Sequence, residues 1–141
     1  MVRSQFPPNL PDASNLARAT DIAARRRGRT ADTLVVAGPS GLAVAVLPVP
    51  YKLSLKATAA ALGWSKAAMA ERSAAEHSTG YVLGGISPLG QRRRLPTVVD
   101  TSALGFGRVL CSAGKRGWDV ALDPHDLTRL ASAVIADVSA L

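Results

Sequence analysis

Thr79–Pro96 reads TGYVLGGISPLGQRRRLP. Between positions 80 and 90 it carries Gly80, Gly84, Gly85, Pro88 and Gly90. Glycine admits positive φ and close backbone approach, whereas proline fixes φ and removes a donor. A regular helix or a long central strand does not run through such a stretch, so it reads as a shaped loop. Arg92, Arg93 and Arg94 follow directly. A shaped backbone pocket beside three cations suits a ligand with a carbonyl or phosphate at one end and more phosphates behind it. The plainer alternative is a Gly-rich hairpin followed by a solvated charge run, and composition by itself favours that alternative.

The flanks set the fold class. Upstream, Thr33–Ala37 is rich in β-branched residues, Gly38-Pro39-Ser40-Gly41 is a turn, and Leu42–Val49 resumes as a strand. The pair predicts a β-hairpin with a longer loop, ended by Pro48 and Pro50. Ser54–Leu62 predicts a short helix capped by Ser54 and stopped at Gly63, with Leu55, Ala59 and Leu62 on one buried face. A brief strand over Lys66–Ala70 and a short helix over Glu71–Ser78 lead into the loop. Downstream, Leu95–Asp100 and Arg108–Ser112 read as strands. Ala113–Gly117 is a tight connection, and Trp118–Leu122 returns. Asp123-Pro124 opens a last helix whose expected apolar stripe is Leu127, Leu130, Val134 and Val138. Strands outnumber helices without a βαβ alternation. The expectation is an α+β fold: a curved, mixed, mostly antiparallel sheet flanked by short helices.

Residues 1–31 are set apart as an arm. Pro7, Pro8 and Pro11 come early, RRRGR occupies 25–29, and a helix over Asn15–Arg27 would offer only Leu16 and Ile22 for docking. A loosely held or disordered segment is expected there. The remainder, 32–141, reads as one domain.

The formal charge of +7 favours a polyanionic partner such as nucleic acid. One cysteine and two histidines exclude a disulfide framework and make a metal cluster unconvincing, so neither metal nor cofactor is expected. Cys111 reads as a small buried hydrophobe rather than a nucleophile. His77 and His125 sit beside Glu76 and Asp126, but sequence neighbours do not face each other on a helix. No apolar run long enough to span a membrane and no secretory h-region occur, so no membrane partner and a cytoplasmic location are expected.

The chain resembles the YbaK-type aminoacyl-tRNA deacylases, a family related to the editing insertion of bacterial prolyl-tRNA synthetase. The resemblance is carried by TLVV (33–36), LAVAVLPV (42–49), LSLKATAAALG (53–63), STGYVLGGISPLGQRRRLPTVVD (78–100) and SAGKRGWDVALDPHDL (112–127). It implies a partly closed barrel and hydrolysis of the ester joining a wrong amino acid to tRNA, with Cys on tRNA(Pro) as the leading substrate. Gly84, Gly85, Ile86, Ser87 and Pro88 match the family's GxxxP loop, which positions the aminoacyl carbonyl and the terminal ribose. Asp119 matches an acid of the same pocket, placed to bond a ribose hydroxyl or the amino acid's ammonium. Ser112 and Gly114 match the small residues beside it. Tyr81 and Arg92–Arg94 join the substrate-binding set. The implied partners are the acceptor end of aminoacylated tRNA and prolyl-tRNA synthetase.

One position departs from the pattern. The family's lysine precedes the TLVV strand, and here that place is Asp32. An acid there opposes a phosphate instead of holding it. The first thirty residues have no recognised counterpart, and the abrupt onset of similarity near residue 32 suggests a foreign reading frame upstream. Three functions follow in order: a trans-acting editing enzyme impaired by Asp32; a non-catalytic tRNA-binding module on the same fold; and a generic basic DNA-binding protein, for which no helix-turn-helix or zinc signature exists.

Overall fold

The computed structural model describes residues 30–115 and 117–140. The arm and the helix expected over Asn15–Arg27 lie outside these residues. The chain order is β1 (Ala31–Gly38), β2 (Gly41–Pro48), β3 (Lys52–Leu53), α1 (Leu55–Leu62), β4 (Ala68–Met69), α2 (Arg72–Thr79) and β5 (Thr97–Asp100). A 3-10 turn (Thr101–Gly105), β6 (Val109–Ser112), β7 (Asp119–Leu122), α3 (Pro124–Leu130), β8 (Val134–Ala136) and β9 (Ser139–Ala140) complete it.

The β1–β2 hairpin pairs from Ala31↔Pro48 to Gly38↔Gly41. Only Pro39 and Ser40 therefore connect the strands, a tighter turn than the longer loop expected. Gly38 leaves room for the Trp64 ring, which a Cβ there would force to shift. β2 is central, with β1 antiparallel on one side and β5 parallel on the other. That position explains why Ala43–Pro48 are all buried and why the stretch is a continuous apolar run rather than an alternating one.

The main sheet has the order β4-β1-β2-β5-β8, and β3–β9 and β6–β7 are separate two-stranded ribbons. Among the described residues, four of the six strand pairings are antiparallel, in keeping with the mixed, mostly antiparallel α+β class. The barrel is not found. β4 and β8 are edges of two and three residues, too short to bring the sheet round on itself. Among the described residues, the β6–β7 ribbon packs beside β1, with the parallel bridge Thr30↔Leu110 just before that strand.

The helices follow their predicted caps. Ala57 N–H donates to Ser54 Oγ at 3.1 Å, and Gly63 closes α1 in the left-handed conformation. His125 N–H donates to Asp123 Oδ1 at 2.8 Å, with Pro124 at the first turn of α3. The expected length of α3 is corrected. It stops at Leu130, and Ser132 adopts φ 51°. Val134 then enters edge strand β8 and is 51% exposed, whereas Val138 is fully buried outside any helix. A four-residue spacing of valines mimicked a helical stripe, but β-branched residues prefer the extended backbone that Val134 adopts in β8.

The larger apolar cluster joins Val44, Val46, Val99, Val109, Val120, Leu122 and Leu127. A second, smaller cluster of Val35, Ala75, Tyr81 and Ile86 fixes α2 and the Gly-rich loop against β1. That second cluster positions the site described next.

Candidate functional site: a loop, a strand end and a ribbon turn around one cavity

The loop after α2 is built on the helix's own C-terminal carbonyls. Gly80 N–H donates to Glu76 O at 2.9 Å, Arg92 N–H to Thr79 O at 2.8 Å, and Arg93 N–H to Ser78 O at 3.1 Å. The end of α2 leaves acceptors without intrahelical donors, and the return of the loop satisfies them. Tyr81 is buried, and its hydroxyl donates to Leu89 O at 2.6 Å, clamping the loop across its base. Burial pushes the Tyr81 phenol up to about 12. Ser87 Oγ accepts from Leu89 N–H at 3.2 Å, and Gln91 donates to Ser87 O at 2.9 Å. At the tip, Leu83 N–H donates to Glu76 Oε2 at 2.7 Å. Gly84 takes φ 90°, a conformation that side-chain-bearing residues resist. The loop is thus a braced object whose tip, Leu83–Ile86, faces the start of β1.

A cavity of about 280 Å³ opens between this tip and the sheet. One wall is Leu83, Gly84 and Ile86; another is Thr30–Leu34; the third is Ser112, Gly117 and Asp119 of the β6–β7 ribbon. Ser112 and Asp119 are register partners across that ribbon, so antiparallel pairing alone brings them together. Asp119 is buried, and its negative charge, second to burial, pushes the Cys111 thiol up to about 12. Partial burial also raises the Asp32 carboxyl above the ordinary carboxylate range. Thr30 Oγ1, Thr33 Oγ1 and Ser112 Oγ are buried oxygens without a hydrogen-bond partner, and all three residues line this cavity.

Of the residues singled out in the sequence, the cavity gathers Asp32, Gly84, Ile86, Ser112 and Asp119. Gly85 and Ser87 are buried within the loop, and Gly114 turns the ribbon with φ 98°. Tyr81 braces the loop from beneath. Pro88 and Arg94 instead line a larger cavity of about 430 Å³ on the loop's other side, with Gln91, Thr97 and Arg129. Arg94 also donates to Ser132 Oγ at 2.6 Å. Arg92 and Arg93 are exposed, and Arg92 reaches back to His77 O at 3.5 Å.

Sequence reading missed Thr30, Thr33 and Leu34 as cavity walls, although Thr30 and Thr33 flank Asp32 in a polar strand start. It also missed a third cavity of about 230 Å³, mainly apolar, lined by Thr33, Leu34, Val35, Met69, Ala70, Arg72, Ala75, Leu83 and Ile86. Thr33, Leu34, Leu83 and Ile86 belong to both chambers. No grouping of three metal-ligating side chains occurs among the described residues, and no helix among them is long and apolar enough to cross a membrane.

Comparison with known proteins places the fold and the family. Residues 8–130 match the aminoacyl-tRNA editing domain model, a span that begins inside the segment set apart above. A protein of Enterococcus faecalis named "Putative Cys-tRNA(Pro)/Cys-tRNA(Cys) deacylase EbsC" is 36% identical over 114 residues, covering 80% of this chain and 70% of that protein. The fold is similar to the crystal structure of "a putative trans-editing enzyme for prolyl tRNA synthetase", with TM-score 0.77 and 24% identity over 92% of this chain and 83% of the other. A second crystal structure, of a hypothetical protein, gives TM-score 0.76 and 25% identity over 89% and 86%. The chain belongs to the YbaK-type aminoacyl-tRNA editing-domain family.

Proposed function

We propose that this chain is a trans-acting aminoacyl-tRNA deacylase, with Cys on tRNA(Pro) as its leading substrate. The observation that carries the reading is the pair of joined chambers at the loop tip. A polar chamber bordered by Gly84, Ser112 and Asp119 abuts an apolar one bordered by Leu34, Val35, Ala75 and Ile86. An aminoacyl ester has that same division: a polar carbonyl, ammonium and ribose, and a side chain beside them. The second chamber is mainly apolar, with Arg72 its one charged lining residue among those described, and suits a small side chain such as that of cysteine.

The chemistry asks little of the protein. Neither histidine lines these chambers, and no nucleophile-base pair is needed. The braced loop tip holds the ester carbonyl against fixed backbone dipoles, and the chamber holds the attacking group at bonding distance. With a cysteinyl ester the attacking group is the substrate's own thiol. The sulfur–carbon bond forms, the ester carbon–oxygen bond breaks, and the thiol proton goes to the departing ribose oxygen. Glycine at 84, serine at 112 and the acid at 119 act as positioning groups. Exposed Arg92, Arg93 and Arg94 lie beside the loop to meet acceptor-end phosphates, and prolyl-tRNA synthetase is the proposed source of the mischarged tRNA.

The second reading, a tRNA-binding module without activity, draws on Asp32, whose carboxylate lines the chamber where a phosphate-holding cation would be expected. Deacylation assays on Cys-tRNA(Pro), Ala-tRNA(Pro) and Cys-tRNA(Cys) separate the two. Loss of Cys from tRNA(Pro) at well above the spontaneous rate is expected. Binding of the tRNA with no acceleration on any substrate would establish the second reading instead.

A further inference from the structure

We propose that the larger cavity behind the loop is a second binding site, in which Arg94 and Arg129 hold the phosphate of a nucleotide whose sugar and base lie against aliphatic side chains. The inference goes beyond the editing reading. Among the described residues, this cavity shares no lining residue with the two loop-tip chambers.

Charge is the first argument. Arg94 comes from the loop and Arg129 from α3, and the lining among the described residues carries these two cations and no acid. Arg129 has Asp126 at 3.4 Å, but both side chains are more than half exposed, and such a pair contributes little. Neither guanidinium is therefore committed to a buried counter-ion. A guanidinium presents a planar fork of donors that matches two oxygens of a phosphate.

Ser132 supplies the second, independent argument. It takes φ 51°, the one positive φ outside glycine among the described residues. A serine in the left-handed region is strained, and residues held that way gather at ligand clamps. Its hydroxyl accepts from the Arg94 guanidinium at 2.6 Å, and its N–H donates to Arg129 O at 3.2 Å. One strained residue thus ties together the two segments that carry the arginines. An Arg94 fork already held in place loses less freedom when a ligand arrives.

The rest of the wall indicates the ligand class. The volume of about 430 Å³ falls in the range of small-molecule sites, about 300–1,000 Å³. Pro88, Leu89, Leu95 and Leu130 give the cavity an aliphatic wall. A bare phosphate would leave that wall uncovered, whereas a nucleotide covers it with its sugar and base. A free mononucleotide and a residue of an RNA chain share this chemistry.

The test needs no turnover. Binding of adenosine 5'-monophosphate and cytidine 5'-monophosphate is measured by calorimetry at low salt, against adenosine and inorganic phosphate. The monophosphates are expected to bind about tenfold or more tightly than adenosine, the scale of one charge-assisted contact, and more tightly than inorganic phosphate. Arg129→Ala is expected to weaken them about tenfold; because Arg129 is exposed, the variant folds. Arg129→Lys restores only part of the loss, since an ammonium lacks the fork. Ser132→Gly relaxes the backbone while removing the hydroxyl. It is expected to keep or raise Tm and still weaken the monophosphates, a split that a purely structural serine does not produce. Competition assigns the source. Displacement of tRNA by adenosine 5'-monophosphate in the wild type, but not in Arg129→Ala, seats an RNA residue in the cavity. Monophosphate binding indifferent to tRNA assigns the site to a free mononucleotide. Equal binding of adenosine and its monophosphate, inorganic phosphate bound as tightly as the monophosphates, no monophosphate binding, or an affinity unchanged in Arg129→Ala or in Ser132→Gly would overturn the proposal. Monophosphate binding in a protein that hydrolyses no aminoacyl-tRNA would overturn the deacylase reading alone.

Discussion

At the residue scale, Tyr81 and Cys111 show how burial near the site alters acid–base behaviour. The Tyr81 phenol is pushed from 10.0 up to about 12 by burial. The Cys111 thiol is pushed from 9.0 up to about 12 by burial and then by the Asp119 charge. In both cases the folded-state value is raised. The folded chain therefore keeps a proton that the unfolded chain loses, and the associated stability is complete below the unfolded value and is lost as pH rises towards 12. Stability is expected to be insensitive to these groups up to about pH 9, then to fall by up to about 1.4 kcal/mol per pH unit for each group titrating in the unfolded state. Urea unfolding across the alkaline range checks this. Cys111→Ala and Tyr81→Phe together are expected to flatten the slope although the double variant starts less stable. An undiminished slope would assign it to other groups. Tyr81→Phe alone removes the bond to Leu89 O and leaves a buried carbonyl without that donor. A loss of about 1–2 kcal/mol at neutral pH is expected, with the loop tip looser and faster in hydrogen exchange.

At the element scale, Asp100 ties the C-terminal strands to the sheet. It is 1% exposed. Its Oδ1 accepts from Val138 N–H at 2.7 Å and from Ser139 N–H at 3.0 Å, while Oδ2 accepts from Ser102 N–H at 3.2 Å and from the Ser102 hydroxyl. One side chain thus caps the 3-10 turn and anchors β9 to the end of β5. Asp100→Asn keeps the shape but sets an NH2 donor against donors on one side. A cost of about 1–3 kcal/mol is expected in urea unfolding, whereas Asp123→Asn at the exposed cap of α3 changes little. A negligible effect of Asp100→Asn would mean the tail is held by packing alone. This anchor was not legible in the sequence, because it joins residues 38 and 39 positions apart. The legible elements were those whose signals are local: the β1–β2 hairpin from its β-branched runs and turn, α1 from Ser54 and Gly63, and the α3 start from Asp123-Pro124. The α3 end was misread because Val134 and Val138 keep a helical spacing although Val134 lies in β8 and Val138 between β8 and β9. The candidate site was partly legible for the same reason. The loop announced itself through glycine and proline, but Thr30, Thr33 and the apolar chamber exist only because β1, β4, α2 and the loop converge in space.

At the scale of the whole molecule, the formal charge of +7 and the acidic chamber pull in opposite directions. The surface favours a polyanion, while the chamber's lining among the described residues carries Asp32 and Asp119. Arg92, Arg93 and Arg94 are exposed beside the loop, and Arg94 shares the larger cavity with Arg129. The backbone N–H groups of Arg92 and Arg93 staple the loop to α2, and the Arg92 side chain adds one long bond to His77 O at 3.5 Å. Replacing all three with alanine therefore keeps the backbone bracing and removes, besides their charge, the side-chain bonds to His77 O and Ser132 Oγ. Each phosphate that the protein ceases to neutralise should reduce the slope of log K against log salt by about 0.7–0.9. The triple variant is expected to lower that slope for tRNA by about 2–3 if all three side chains meet phosphates, and to weaken binding similarly across tRNA sequences, since bonds to phosphate carry no base readout. Filter binding over a range of salt concentrations measures both. An unchanged slope would mean that the arginines face solvent only. It would shift the tRNA path to Arg129 and the far cavity, where Arg129→Ala would then lower the slope.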